Sequence, residues 1–264
     1  MKNFVTIEEG DGPLLLAQPH GGIEIPTEIA KRLNAQGIAM ADTDWHITKL
    51  YRGLAANATS VSTAIHRYVI DANRDPADVS LYPGQNTTSL CPTITFDGSP
   101  IYLKDQEPSQ DEIEERQQQF HQPYHDAIRD QLDRIRQQHG YAILYDCHSI
   151  RSRVPFLFEG KLPDFNIGTN SGTSCDPAIE AVVSSICENA DGFRSVTNGR
   201  FKGGWTTRHY GQPEQGYHAI QMELAQSLYM HELPPWEYDD TVAARLRPVL
   251  GRILSSLDSI LAEA

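Results

Sequence analysis

Apolar residues in this chain gather in short unbroken runs, and stretches of helical periodicity lie between them. Residues 141–145 are mostly apolar, follow Gly140, and run directly into Asp146-Cys147-His148-Ser149. A run of this length with such boundaries predicts a strand buried on both faces. Residues 13–18 have the same form and run into Pro19-His20-Gly21-Gly22. Residues 217–224 are a third such run, with Glu223 near its end. Residues 60–65 and 68–70 have a β-branched bias and predict two further strands. Helical spacing predicts helices over 26–36 with Thr27 as N-cap, and over 178–189. Ile47, Leu50 and Leu54 form the apolar face of another, with Asp42, Thr43 and Asp44 as N-cap residues. Residues 109–139 read as one or two helices, with a stripe of Ile128, Leu132 and Ile135. A closing helix spans 241–262, its stripe running from Val242 through Leu246, Leu250, Ile253 and Leu257 to Leu261. Residues 77–108, 159–176 and 198–211 read as loops. The succession of helix, Gly140 and buried strand predicts a layered α/β fold. No internal repeat or linker divides the chain, so residues 1–264 are expected to form a single domain.

Composition narrows the function classes. At 39% hydrophobic and 22% charged residues the chain has the make-up of a soluble globular protein. No apolar run approaches the roughly 20 residues that span a bilayer. The N-terminal segment is acidic where a signal peptide needs an apolar core, so the expected location is cytoplasmic. The four cysteines show neither C-x-x-C pairing nor disulfide-like spacing and are expected to be reduced. A net charge of −13 argues against nucleic acid as a partner. It leaves room for a small anionic substrate, because a few cations inside a pocket override the global field.

Candidate chemistry lies at the strand ends. Asp146 and His148 are two residues apart and point the same way in extended chain. That pair suits a metal-ligating imidazole and the carboxylate that orients it. His20 sits at the end of a second strand, and Glu223 at the end of a third. Asp42, Asp44 and His46 crowd a helix start, where the helix dipole disfavours a cation. Capping accounts for one of them, and for Asp42 it remains an alternative to ligation. Catalytic zinc takes about three N or O ligands and keeps one open position. A nearby carboxylate such as Glu223 then moves the water's proton. Arg67 and Arg74 follow strands in turn-rich segments, and Lys202 and Arg208 lie in a glycine-rich stretch that suits an anion. That stretch lacks the residue order of a nucleotide P-loop. No G-x-S-x-G elbow is present, which disfavours a serine hydrolase. A non-catalytic metal-binding or amino-acid-binding protein would have no need of Glu223 beside an open metal position.

The segments PHGG, DTDWHITKLY, ANRDP, GYAILYDCHSIRS, LPDFNIGTNSGTSCDP, NGRFKGGWTTRHYG and HAIQMELAQSLYM resemble the N-formylglutamate amidohydrolase (deformylase) family, from about residue 13 to 232. That family is similar in fold to zinc carboxypeptidases and aspartoacylases. The resemblance implies a single three-layer α/β domain with a mixed, largely parallel sheet. It also implies hydrolysis of N-formyl-L-glutamate to formate and L-glutamate, a step of histidine degradation. Residue by residue, it implies His20 and His148 as metal ligands and Glu223 as the group that activates water. It further implies Arg67 at the oxyanion, and Asn73 and Arg74 on the substrate carboxylate. The wider group carries its second ligand as H-x-x-E, but position 23 is Ile and the glutamate is Glu24. The second ligand is therefore Glu24, or it has moved to Asp44 or His46; the helix start is favoured. The expected metal is zinc, with iron, cobalt and manganese as alternatives. An aspartoacylase-like N-acyl amino acid hydrolase, or a carboxypeptidase, is the alternative activity.

Overall fold

The computed structural model describes residues 4–81, 84 and 86–261. Seven strands form one sheet: β1 Val5–Glu8, β2 Leu14–Gln18, β3 Thr59–Thr63, β4 Ala142–Ile150, β5 Phe165–Gly168, β6 Ser195–Thr197 and β7 Tyr217–Ala225. Their spatial order is β1-β3-β2-β4-β7-β5-β6. β3, β2, β4 and β7 run parallel, while β1 against β3 and β5 against β7 are antiparallel. The helices are α1 Thr27–Ala30, α2 Ala35–Ala39, α3 Ile47–Tyr51, α4 Gln110–Arg116, α5 Gln122–His139, α6 Pro177–Glu188, α7 Trp205–Tyr210 and α8 Asp240–Ser259. The expected mixed, largely parallel sheet between helical layers is what the chain forms.

Alternation along the inner strands sorts their side chains to two cores. Leu14, Leu16, Ile143, Tyr145, Ile220, Met222 and Leu224 pack against α3, α6 and α8. Leu15, Ala17, Ala142, Leu144 and Ala219 pack against α5 and α7. Leu246, Leu250, Ile253 and Leu257 of α8 are fully buried. Burial of each such side chain contributes about 1.5–3 kcal/mol. Period-two spacing then puts Asp146, His148, Gln221 and Glu223 on the α5/α7 face, at the carboxyl ends of the two central strands. Open α/β sheets bind ligands in this position.

Several expected elements take other forms. The helix predicted over 26–36 is split, because the Asn34 side chain accepts from the backbone N–H of Gln36 and Gly37 and caps α2. Thr27 is not a cap; Pro26 precedes α1, with no side-chain capping bond. Residues 68 and 69 lie in a turn and 70 joins no strand, and β5 lies inside the predicted 159–176 loop. A π-helical turn, Gln117–His121, joins α4 to α5. Strand β1 was not expected. Ala262, the last residue of the expected closing helix, lies outside the described residues, as do three positions of the expected 77–108 loop.

Candidate active site

Three strand ends and two loops meet above the α5/α7 face. β2 stops at Gln18, and Pro19 turns the chain so that His20 reaches inward, 3% exposed. The following loop passes so close to β3 that a side chain at Gly22 would lie 2.4 Å from the Ala64 carbonyl carbon. Only glycine permits that approach. The His20 carbonyl accepts from the backbone N–H of Asp44 at 3.1 Å, which ties the loop before α3 to the same point. β4 delivers His148, and β7 places Glu223 directly opposite it in register. Residues 66–74, after β3, supply Arg67, Asp71, Asn73 and Arg74.

The two imidazoles face each other through Nδ1, 3.1 Å apart. Asp44 Oδ2 lies 3.4 Å from His148 Nδ1 and 3.9 Å from His20 Nδ1. That oxygen accepts from the Ser149 backbone N–H at 3.0 Å. Each imidazole is held from behind by its other nitrogen. His20 Nε2 lies 2.7 Å from Asp71 Oδ1. His148 Nε2 lies 2.9 Å from Asp146 Oδ1 and 2.9 Å from the Asn73 amide nitrogen. Asn73 is itself oriented, since its Oδ1 accepts from the Thr206 backbone N–H at 2.8 Å. Arg67 Nη2 donates to Asp71 Oδ2 at 2.7 Å. His20, Asp44, Arg67, Asn73 and His148 line a cavity of about 640 Å³, open mouth included, together with Arg74, Arg200, Gln221 and Glu223.

Burial and charge act against each other at this centre. Burial favours neutral Asp71, but the Arg67 charge first, with His20 and the Arg74 charge, outweighs it and holds the carboxyl well below its usual range. Burial opposes ionisation of Asp44 too, and His148, His20 and Arg67 overcome it. For His148, burial lowers the pKa, yet the Asp146 and Asp44 carboxylates raise it well above an imidazole's usual value. Burial and the Arg67 charge keep His20 below that value. Burial lifts the Glu223 carboxyl to about 8, with His148 acting the other way.

The donor set fits a divalent cation. Asp71 Oδ1 is an acceptor, so His20 must present Nε2–H to it and keep a lone pair on Nδ1. That lone pair faces a second ring nitrogen at 3.1 Å, an approach that either a proton on His148 Nδ1 or a cation held by both rings makes favourable. Asp44 Oδ1 is buried and has no hydrogen-bond partner. Its neighbour is Arg67 Nη1, an ion pair at 3.6 Å, and a buried carboxylate with an oxygen free of hydrogen bonds, beside two converging Nδ1 atoms, is an arrangement that a metal satisfies. Asp71 behind His20 supplies the carboxylate–imidazole support such ligands take. Among the described residues, His20, Asp44 and His148 are the group of three that could hold a metal.

The structure does not bring His46 to this group. His46 precedes α3 in the left-handed region at φ 62°, and its Nε2–H donates to the Trp236 carbonyl at 2.6 Å. The side chain is drawn towards a loop 190 residues away, whereas Asp44 lies beside His20 and His148. Nor does Asp42, Thr43 or Asp44 cap α3. Asp42 instead accepts from the Tyr68 hydroxyl and the Phe96 backbone N–H, both at 2.7 Å. Glu24 is half-buried and lies outside the cluster; its backbone bridges to Ile65. We expect His46→Ala to retain the metal content of the parent, read by elemental analysis. Its stability should fall by about 1 kcal/mol for the lost hydrogen bond.

Lys202 and Arg208 do not line the cavity either. Lys202 is exposed, and the Arg208 Nε–H donates to the Gly203 carbonyl at 2.9 Å. The predicted glycine-rich loop contains α7, which turns Arg208 aside. From the same segment, Arg200 reaches the cavity. Asp71, Arg200 and Gln221 line or support the site without a role in the sequence reading. Asp71 stood in the D-A-N-R-D-P stretch, but no local pattern links it to an imidazole 51 residues earlier.

The family model for N-formylglutamate amidohydrolase matches residues 12–230. The chain is 44% identical over 260 residues to the N-formylglutamate deformylase of Pseudomonas putida, covering 97% of this chain and 96% of that protein. It is 44% identical over 258 residues to that of Pseudomonas aeruginosa, covering 97% of each. A crystal structure of N-formylglutamate amidohydrolase from Ralstonia eutropha superposes with a TM-score of 0.80 at 23% identity, covering 98% of both chains, a likeness of fold. By the family match and the full-length likeness to the Pseudomonas proteins, this chain belongs to the N-formylglutamate amidohydrolase family.

Proposed function

We propose that this protein hydrolyses N-formyl-L-glutamate to formate and L-glutamate, as a step of histidine degradation, with zinc as the metal. The observation that carries the reading is the convergence of His20 Nδ1, His148 Nδ1 and Asp44 beside Glu223, in a cavity that three arginines also line. The names of the Pseudomonas relatives support the substrate.

His20, His148 and Asp44 would hold the metal, which would supply Lewis acidity towards the amide oxygen and acidify a water molecule. Glu223 takes the proton of the attacking water and delivers it to the leaving nitrogen. Its carboxyl is buried, and burial raises its pKa, which makes the ionised form a stronger proton acceptor than an exposed glutamate. Arg67 faces the negative charge that develops on the amide oxygen. Its guanidinium is fixed between Asp71 and the Asp42 carbonyl, at 2.7 and 3.3 Å, so its charge is preorganised. Asn73 and Arg74 hold a substrate carboxylate. Arg74 is anchored from one side, donating to the Thr88 carbonyl and hydroxyl at 3.0 and 3.1 Å.

Turnover of N-formyl-L-glutamate, N-acetyl-L-glutamate, an uncharged N-formyl amino acid and a peptide with a free C-terminus, on protein of known metal content, tests the reading. N-formyl-L-glutamate should dominate. Equal turnover of the uncharged formyl amino acid would remove the anion pocket, and preference for the acetyl or peptide substrate would assign another activity. Arg74→Lys keeps the charge and loses the planar fork, so KM should rise about tenfold or more. An unchanged KM would take Arg74 off the carboxylate.

A further inference from the structure

Asp71, Ala72, Asn73 and Arg74 form the strip of backbone on which much of the site depends. Asp71 backs His20, Asn73 contacts His148, and Arg74 lines the cavity. This strip is neither helix nor strand, so the sheet does not fix it. Its carbonyls are held from the helical layer instead. His125 Nε2 lies 2.8 Å from the Ala72 carbonyl, and His121 Nε2 lies 3.1 Å from the Arg74 carbonyl. Asn73 lies between the two.

A carbonyl only accepts, so both histidines must carry the proton on Nε2. His125 Nδ1 lies 3.0 Å from the Tyr210 hydroxyl, which donates to the His125 backbone carbonyl at 3.1 Å and so ties this ring's position to α7. Burial keeps both imidazoles below their usual pKa, which favours the neutral form. Packing allows little freedom. His121 and His125 have ring centroids 4.3 Å apart, and His125 meets the Trp205 ring edge-on at 4.7 Å. Trp205 opens α7, whose next residue, Thr206, holds the Asn73 amide oxygen through its backbone N–H. The π-helical turn Gln117–His121 changes the helical register just ahead of α5 and ends on His121. Such turns frequently occur at functional sites.

We propose that His121 and His125 are positioning residues, which fix Asn73 and Arg74 by donating to the carbonyls of Ala72 and Arg74 on either side. The proposal rests on the reading of Arg74 as a substrate anchor. Neither imidazole touches the reacting groups; each acts through the backbone it holds.

The test compares His125→Phe, which keeps the ring and loses the donor, with His125→Gln, which can return an N–H near the position of Nε2. His121→Leu is the milder second variant should the phenylalanine protein fail to fold. For His125→Phe and His121→Leu, KM for N-formyl-L-glutamate should rise about tenfold with a smaller change in kcat, the pattern of weakened substrate holding. Metal content should be unchanged, and His125→Gln should return KM towards the parent value. Amide hydrogen exchange should quicken at residues 72–74 in the impaired variants, with no matching change in β4 or β7. Lowered thermal stability with unchanged KM and unchanged local exchange would overturn the proposal and leave a structural role only. A glutamine variant as impaired as the phenylalanine one would do the same for the donor argument. If the parent fails to turn over N-formyl-L-glutamate, the functional reading falls, and the exchange measurement decides the positioning role by itself.

Discussion

Glu223→Gln should keep its metal and still bind substrate, while kcat falls by about a hundredfold or more. The substitution preserves volume and removes what is, among the described residues, the one buried carboxylate that lines the cavity without lying among the converging His20, Asp44 and His148 atoms. Asp146 is a poorer proton carrier, because Asp146 Oδ2 accepts from the Thr207 hydroxyl at 3.2 Å and its other oxygen faces His148. Gln221 donates to Glu223 Oε2 at 3.3 Å and can remain in place. Elemental analysis and substrate binding at equilibrium separate a chemical defect from a collapsed site. Ordinary turnover by the glutamine protein would assign the proton to another group.

Removal of the metal set should have an equally large effect. His20→Ala, His148→Ala and Asp44→Ala should each lose bound metal and activity together. In the parent, chelation should lower Tm and added zinc should restore it, since a ligand that binds only the folded state stabilises by mass action. The three variants should show no such response. Full metal occupancy in any of them would remove that residue from the set. Asp44→Ala is the sharpest of the three, because it sets Asp44 against Glu24 and His46 as the second ligand.

The fold was legible wherever burial imposed a simple period. β2, β4 and β7 are interior strands, so their apolar runs are continuous, and their last residues fall at the sheet's carboxyl edge. For the same reason His20, His148 and Glu223 stood out as residues that share one edge. β5 was hidden because Phe165–Gly168 is only four residues long and lies among Asn, Thr, Ser and Gly. Loop geometry was not legible. Asp44 and His46 are both two-residue steps along one loop, but the left-handed turn at His46 sends their side chains to different neighbours. No residue type at position 46 announces that turn. Arg200, Lys202 and Arg208 share charge and segment, yet only Arg200 of the three meets the cavity, and Arg208 lies on the unexpected α7. Asp71 was unreadable for a different reason: its partner His20 comes from an earlier strand, and the contact exists only after the sheet has formed.

The one-to-one pairing of β4 with β7 sets His148 against Glu223 over a nine-residue ladder. A slip of one residue would set Met222 or Leu224 opposite His148 and turn the apolar row Ile220, Met222 and Leu224 away from α6 and α8. Activity and a buried core therefore demand the same alignment. A chain that pairs these strands wrongly gains neither, so misregistered molecules have no partly active form that could persist unnoticed among correctly folded ones.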